Sequence, residues 1–142
     1  MDDRSVEKRS YNMSQIKSKN TKPEELVCKF LFSHGFRYRK NVNKLPGKPD
    51  IVLAKYRAVI FVNGCFWHMH GCSRSVVPKS NREYWIPKLE KNVLNDSKNE
   101  DLLIEQGWNV IIVWECELEK QVRDDRLKRL IIQLKSNKGI YP

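Results

Sequence analysis

Three side chains suited to a soft or borderline metal fall within eight residues, in the pattern Cys65-x4-His70-x-Cys72. A fourth, Cys116, follows a separate apolar run. Structural zinc takes four thiolate or imidazole ligands in a tetrahedron, and three from one loop with one from a strand end can close that shell. A Cys65–Cys72 disulfide is the alternative. It is disfavoured in a chain whose N-terminus, MDDRSVEKRS, lacks the apolar stretch of an export signal and so points to the reducing cytosol. Cys28 lies in an apolar helical pattern and reads as a small buried hydrophobe. His68 interrupts the ligand pattern, either as a further local ligand or as a group free for proton transfer.

Acidic residues supply a second kind of chemistry. Asp50 opens a buried strand directly after a Pro-Gly-Lys-Pro turn. It is either a turn residue satisfying main-chain donors or a carboxylate held toward a metal. Asp96 shares a helix face with Trp85, Leu89 and Leu103, because seven residues make about two turns. A carboxylate on an apolar stripe needs a cationic partner or a metal. Glu24 fits a capping box, which accounts for it without further function. Two aspartates and a histidine can bind Mg²⁺ and move a proton from an attacking water. On a basic surface that suggests phosphodiester hydrolysis. Phe66 and Trp67, inside the Cys/His stretch, are either core or rigid wedges able to enter a base stack.

The elements that must position these groups follow from patterning. Thr21-Lys22-Pro23-Glu24 opens a helix whose face is Leu26, Val27, Phe30 and Leu31, and Gly35 ends it. Asp50–Leu53 and Ala58–Val62 form a hairpin around Lys55-Tyr56-Arg57. Asn63 to Pro78 is irregular. A long helix runs from about Arg82 to Gln106, with Gly107 as its cap. Val110–Trp114 is a buried strand, and residues 117–135 form a charged helix with Leu127, Leu130, Ile131 and Leu134 on one face. Trp108 and Trp114 read as core. The order predicts an α/β fold, a mixed sheet flanked by helices. Residues 1–20 read as an arm or short helix, and 21–142 as one domain.

The chain has 142 residues, with 27 Lys and Arg against 17 Asp and Glu, a formal charge of +10. A small domain so basic favours polyanions, nucleic acid foremost. Mean hydropathy is −0.63. The longest strongly apolar run, Val110–Trp114, falls far short of the ~20 residues of a membrane helix, so no membrane partner is expected.

The ordered motifs Leu45-Pro-Gly-Lys-Pro-Asp-Ile, Val59-Ile-Phe-Val-Asn-Gly-Cys-Phe-Trp-His-x-His-x-Cys, Glu83-Tyr-Trp, Lys91-Asn-Val-x-x-Asp and Gly107-Trp-x-Val-x-x-Val-Trp-Glu-Cys resemble the very-short-patch repair (Vsr) endonucleases from about Arg9 to Glu117. The resemblance implies a restriction-endonuclease-like fold with a structural zinc. It implies nicking of double-stranded DNA 5′ to the thymine of a T:G mismatch left by 5-methylcytosine deamination. It further implies monomeric action in the bacterial cytoplasm, with repair proteins acting downstream. By the same resemblance Asp50, His68, Asp96 and Glu24 are catalytic. Mg²⁺, with two ions expected, is held by Asp50 and the main-chain carbonyl of Val62. Cys65, His70, Cys72 and Cys116 hold zinc. Phe66, Trp67 and Trp85 wedge beside the mismatch, Met13 and Ile16 approach from the minor groove, and Lys88 and Asn92 contact DNA. Two rivals remain: a zinc-stabilised DNA-binding module without nuclease activity, and a restriction-like nuclease that cuts intact duplex.

Overall fold

The computed structural model describes residues 21–65, 68, 70, 72 and 80–136. Helix α1 spans Lys22–Ser33, behind a complete capping box in which Thr21 and Glu24 bond each other's main chain. Strands β1 (Arg39–Lys40), β2 (Ile51–Leu53) and β3 (Ala58–Asn63) follow. Helix α2 spans Arg82–Glu105, strand β4 Asn109–Trp114 and helix α3 Arg123–Ser136. Short 3-10 turns at Ala54–Tyr56 and Glu115–Leu118 fill two of the connections. The predicted mixed α/β architecture is therefore observed.

The sheet runs β1-β2-β3-β4. β1–β2 and β2–β3 are antiparallel, with Ile51 opposite Ile60. β3 and β4 are parallel, with Asn63 opposite Trp114. β2 therefore begins at the end of the sheet where β3 and β4 finish. β1 has no sequence signal, since its two residues are exposed and charged.

Alternation along the strands divides the core into two layers. On one face Ile51, Leu53, Ala58, Ile60, Ile111 and Val113 pack with Val27 and Leu31 of α1 and Leu127, Leu130 and Leu134 of α3. Ile131 packs at the margin of that cluster, which completes the predicted α3 face. On the other, Val52 and Val59 pack with Leu103 of α2, joined by Val42, Leu45, Phe61, Trp108 and Val110. Helix α2 buries Trp85, Leu89 and Leu103, the apolar members of the predicted stripe. It ends as expected: Gly107 adopts φ +89°, and Gly107 and Trp108 donate to Ile104 and Leu103. Among the described residues no helix is long and apolar enough to cross a membrane.

The turn before β2 is seated on α2 through Gly47. Its φ is +74°, and a Cβ there would lie 3.0 Å from the Asn99 Cβ and 3.2 Å from the Phe61 ring. Both the backbone conformation and the space exclude a side chain. Gly47→Ala is expected to cost about 1–3 kcal/mol, read as a lower urea midpoint at unchanged slope. A wild-type midpoint would show that this turn is not held as described.

Candidate active site and metal centre

The candidate catalytic and metal-ligating residues singled out from sequence meet at that one end of the sheet. Asp50 precedes β2, and its Oδ2 accepts the Val62 N–H at 2.7 Å. Burial pushes its carboxyl up to about 7; the Val62 N–H and His68 oppose this, while Glu24 adds to it. Glu24 is only 1 % exposed, in the first turn of α1. One of its oxygens accepts the Thr21 N–H as part of the cap. The other, Oε1, is buried with no hydrogen-bond partner among the described residues. A half-buried carboxylate whose ionisation is made costly by its surroundings, beside a buried one with an orphaned oxygen, is a donor set suited to a hard divalent cation.

His68 comes from the loop after β3, and its Nδ1 bonds Oδ2 of Asp96 on α2. With a carboxylate as partner, Nδ1 carries the proton, which leaves Nε2 to accept one. The Asp96 side chain is 31 % exposed, so the predicted apolar stripe opens here into the site rather than burying the charge. Glu100, one turn further along α2, has its carboxyl pushed up by burial and then by Asp96 and Asp101, with His68 opposing.

Beside this pair, Cys65, His70, Cys72 and Cys116 bring one ligand atom each within 4.8 Å of all the others. Nδ1 of His70 is 3.5 Å from Sγ of both Cys65 and Cys116. A tetrahedron with zinc–sulfur and zinc–nitrogen bonds of ordinary length has S···N edges of about 3.5 Å, so the four side chains fit a metal ion. All the cysteines are free thiols, which argues against the Cys65–Cys72 disulfide. Burial pushes the Cys65 thiol up to about 12 and raises that of Cys116. Coordination to a metal reverses that preference, because a ligating thiol is deprotonated outright.

Local structure explains the convergence. The Cys65 N–H donates to Glu115 Oε1 at 3.1 Å, tying the loop to the end of β4. Inside the loop His68 and His70 donate to the carbonyls of Gly64 and Cys65. Trp114, read from sequence as core, is only half-buried and stacks on His70, with ring centroids 4.0 Å apart and planes 8° from parallel. No signal in one sequence separates such a residue from a core tryptophan.

Comparison with known proteins now decides the family. The family model for "DNA mismatch endonuclease Vsr" matches residues 1–74, more than half the chain. The Type II nicking enzyme V.NmeAIP of Neisseria meningitidis is 54% identical over 129 residues, covering 90% of this chain and 92% of that protein. The Type II nicking enzyme V.XorIIP of Xanthomonas oryzae is 50% identical over 114 residues, 80% of this chain and 84% of that protein. The DNA mismatch endonuclease Vsr of Escherichia coli is 44% identical over 110 residues, 78% of this chain and 70% of that protein. The chain belongs to the Vsr family of DNA mismatch endonucleases. It is thus an endodeoxyribonuclease, and its substrate is DNA.

Within this Vsr-family chain the expected DNA contacts are distributed unevenly. Lys88 is exposed on α2, with Nζ 3.3 Å from the Tyr84 hydroxyl, and Asn92 follows one turn later. Trp85 is 1 % exposed, so contact with a base requires its cover to move. Its neighbour Tyr84 is 41 % exposed, with ring centroids 4.9 Å apart. Met13, Ile16, Phe66 and Trp67 lie outside the described residues.

Proposed function

We propose that this endonuclease nicks duplex DNA 5′ to the thymine of a T:G mismatch, as left by 5-methylcytosine deamination, using Mg²⁺ and a structural zinc. The observation that carries the catalytic part is the His68–Asp96 pair held beside a half-buried Asp50 and a buried Glu24. Asp50 and the Val62 carbonyl would hold Mg²⁺. In a strand a residue's N–H and C=O point to the same side, and the Val62 N–H is already on Asp50. When bound, Mg²⁺ would polarise the scissile phosphate and, as a second ion, offset charge on the leaving 3′-oxygen. Asp96 holds the His68 ring by its Nδ1–H, and Nε2 takes the proton of the attacking water. Glu24 lends charge from α1 and is anchored there by its cap.

Cys65, His70, Cys72 and Cys116 hold the zinc and fix the loop that carries His68. Residues 21–142 act as one catalytic domain and residues 1–20 as a DNA-contacting arm, in a monomer whose nick is passed to other repair proteins. Phe66, Trp67 and Trp85 enter beside the wobble pair, where unstacking costs less than at a Watson–Crick pair, and Met13 and Ile16 approach from the other groove. Lys88 and Asn92 contact the backbone, and the charge of +10 supplies sequence-blind affinity.

A strand-resolved assay on a labelled duplex tests this. One T:G pair is placed in several flanking contexts, 5-methylcytosine target sites among them. The expected product is a single nick just 5′ to the mismatched thymine, absent from T:A controls and stopped by EDTA. Tight T:G binding without a cut would favour the binding-module rival for this chain. Cleavage of both strands of an intact duplex would replace mismatch nicking by restriction.

A further inference from the structure

We infer that Trp114 is a positioning residue that couples the metal cluster to the catalytic histidine. The inference rests on the roles proposed above for His70 and His68. One indole contacts both imidazoles. It is stacked on His70 with centroids 4.0 Å apart and planes 8° from parallel, and it meets His68 edge-on, with centroids 6.2 Å apart and planes at 71°.

The stack fixes the plane of the His70 ring. A ligand nitrogen must aim its lone pair at the metal, so a ring free to turn about its last bond would hold the ion poorly. The second contact reaches His68, whose Nδ1 is tied to Asp96. That bond alone fixes one edge of the ring and leaves the tilt of Nε2 to whatever packs beside it. Two imidazoles two residues apart on one loop thus share a single wall.

The wall itself is held from elsewhere. Trp114 ends β4 opposite Asn63, where β3 hands the chain to the loop. Its main-chain N–H donates to Glu117 Oε1 at 2.9 Å. Glu117 is bound in turn by Arg126, at 3.3 Å, and Arg129, at 3.5 Å, both on α3. Arg126 is 3 % exposed, and its guanidinium also reaches the carbonyl of Ile112 on β4 at 3.1 Å. The Trp114 backbone, from which the indole projects, is therefore held by the sheet and, through Glu117, by α3, and not by the loop it supports.

The test compares Trp114→Leu and Trp114→Phe with the parent in three measurements. These are the rate of zinc release to a chelating dye, kcat for nicking under single-turnover conditions, and Kd for the uncut T:G duplex in Ca²⁺. Loss of the aromatic face in Trp114→Leu is expected to speed zinc release and lower kcat by about 10-fold or more each, with Kd within about 3-fold. Trp114→Phe keeps an aromatic face and is expected to recover most of both. A change in zinc release without kcat, or in kcat without zinc release, would break the coupling. So would recovery by Phe of neither. If Trp114→Leu does not fold, as judged by near-ultraviolet circular dichroism, the Phe variant decides alone. It should then move both rates together by about 2–5-fold, and wild-type values for both overturn the inference. Failure of the underlying reading looks different: the parent would carry no zinc by atomic emission, whatever Trp114 does.

Discussion

Asp50→Asn is expected to lower single-turnover nicking by at least about 10³-fold, equivalent to ~4 kcal/mol of transition-state stabilisation. The substitution keeps the shape of the side chain and an oxygen for the Val62 N–H, which now binds Oδ2 at 2.7 Å. What it removes is the negative charge that would hold Mg²⁺. Binding to an uncut T:G duplex should stay within about 3-fold, because contact with a polyanion gains nothing from a carboxylate. The same variant should melt no lower than the parent in chelator. Without a cation, the Asp50 carboxylate is disfavoured by its burial and by the nearby Glu24, and a neutral amide at position 50 relieves that. Loss of nicking together with loss of duplex binding or of melting temperature would make Asp50 structural. Nicking within 10-fold of the parent would remove it from the mechanism.

That pairing of lost activity with kept stability follows from how the site is assembled. Some of it is legible in one dimension. The capping box at Thr21–Glu24 announces α1, the two apolar runs announce the β2–β3 hairpin, and Gly107 announces the end of α2. The metal cluster is half legible, since three ligands lie close in sequence and the fourth is marked only by its cysteine. The rest depends on contacts that spacing does not encode. Glu24 has a sufficient role as a cap, and nothing in its neighbours reveals that its second oxygen is buried near Asp50 with no partner among the described residues. The hydrogen bond of Asp50 comes from the register that sets Ile51 opposite Ile60 and so brings the Val62 N–H to it. The His68–Asp96 bond spans a loop and a helix that crosses the sheet, so the apolar stripe on α2 could announce only that Asp96 needed a partner. Trp114 shows the converse. Its strand pattern marks it as core, and only the parallel pairing with β3 turns its ring to the loop histidines. The family motifs supplied roles that physical patterning left open, notably that of His68.

Removal of zinc is expected to abolish nicking while leaving most of the helical signal in place. In small zinc-folded domains the metal supplies about 10–16 kcal/mol of apparent folding free energy, and the apo form is unfolded. This chain differs, because twelve buried residues on α1, α3 and the sheet, with Phe36 and Leu118, form a core that does not include the candidate metal ligands. Stripping the ion should therefore free the loop that carries His68, not the whole fold. Cys116→Ser should do the same, since Cys116 is the candidate ligand from the end of β4, with Sγ 3.5 Å from the His70 Nδ1. Two readouts make this sharp. Atomic emission should give one zinc per parent chain and much less for the variant. After chelation, a thiol reagent should modify Cys65, Cys72 and Cys116 quickly and Cys28 slowly, because Cys28 is 5 % exposed in the core and outside the cluster. Readdition of zinc before the reagent should protect the three and restore nicking. Equal reactivity of those thiols with and without zinc would remove the four-ligand centre. Full unfolding on chelation would mean instead that the sheet and its two covering layers cannot stand without the ion.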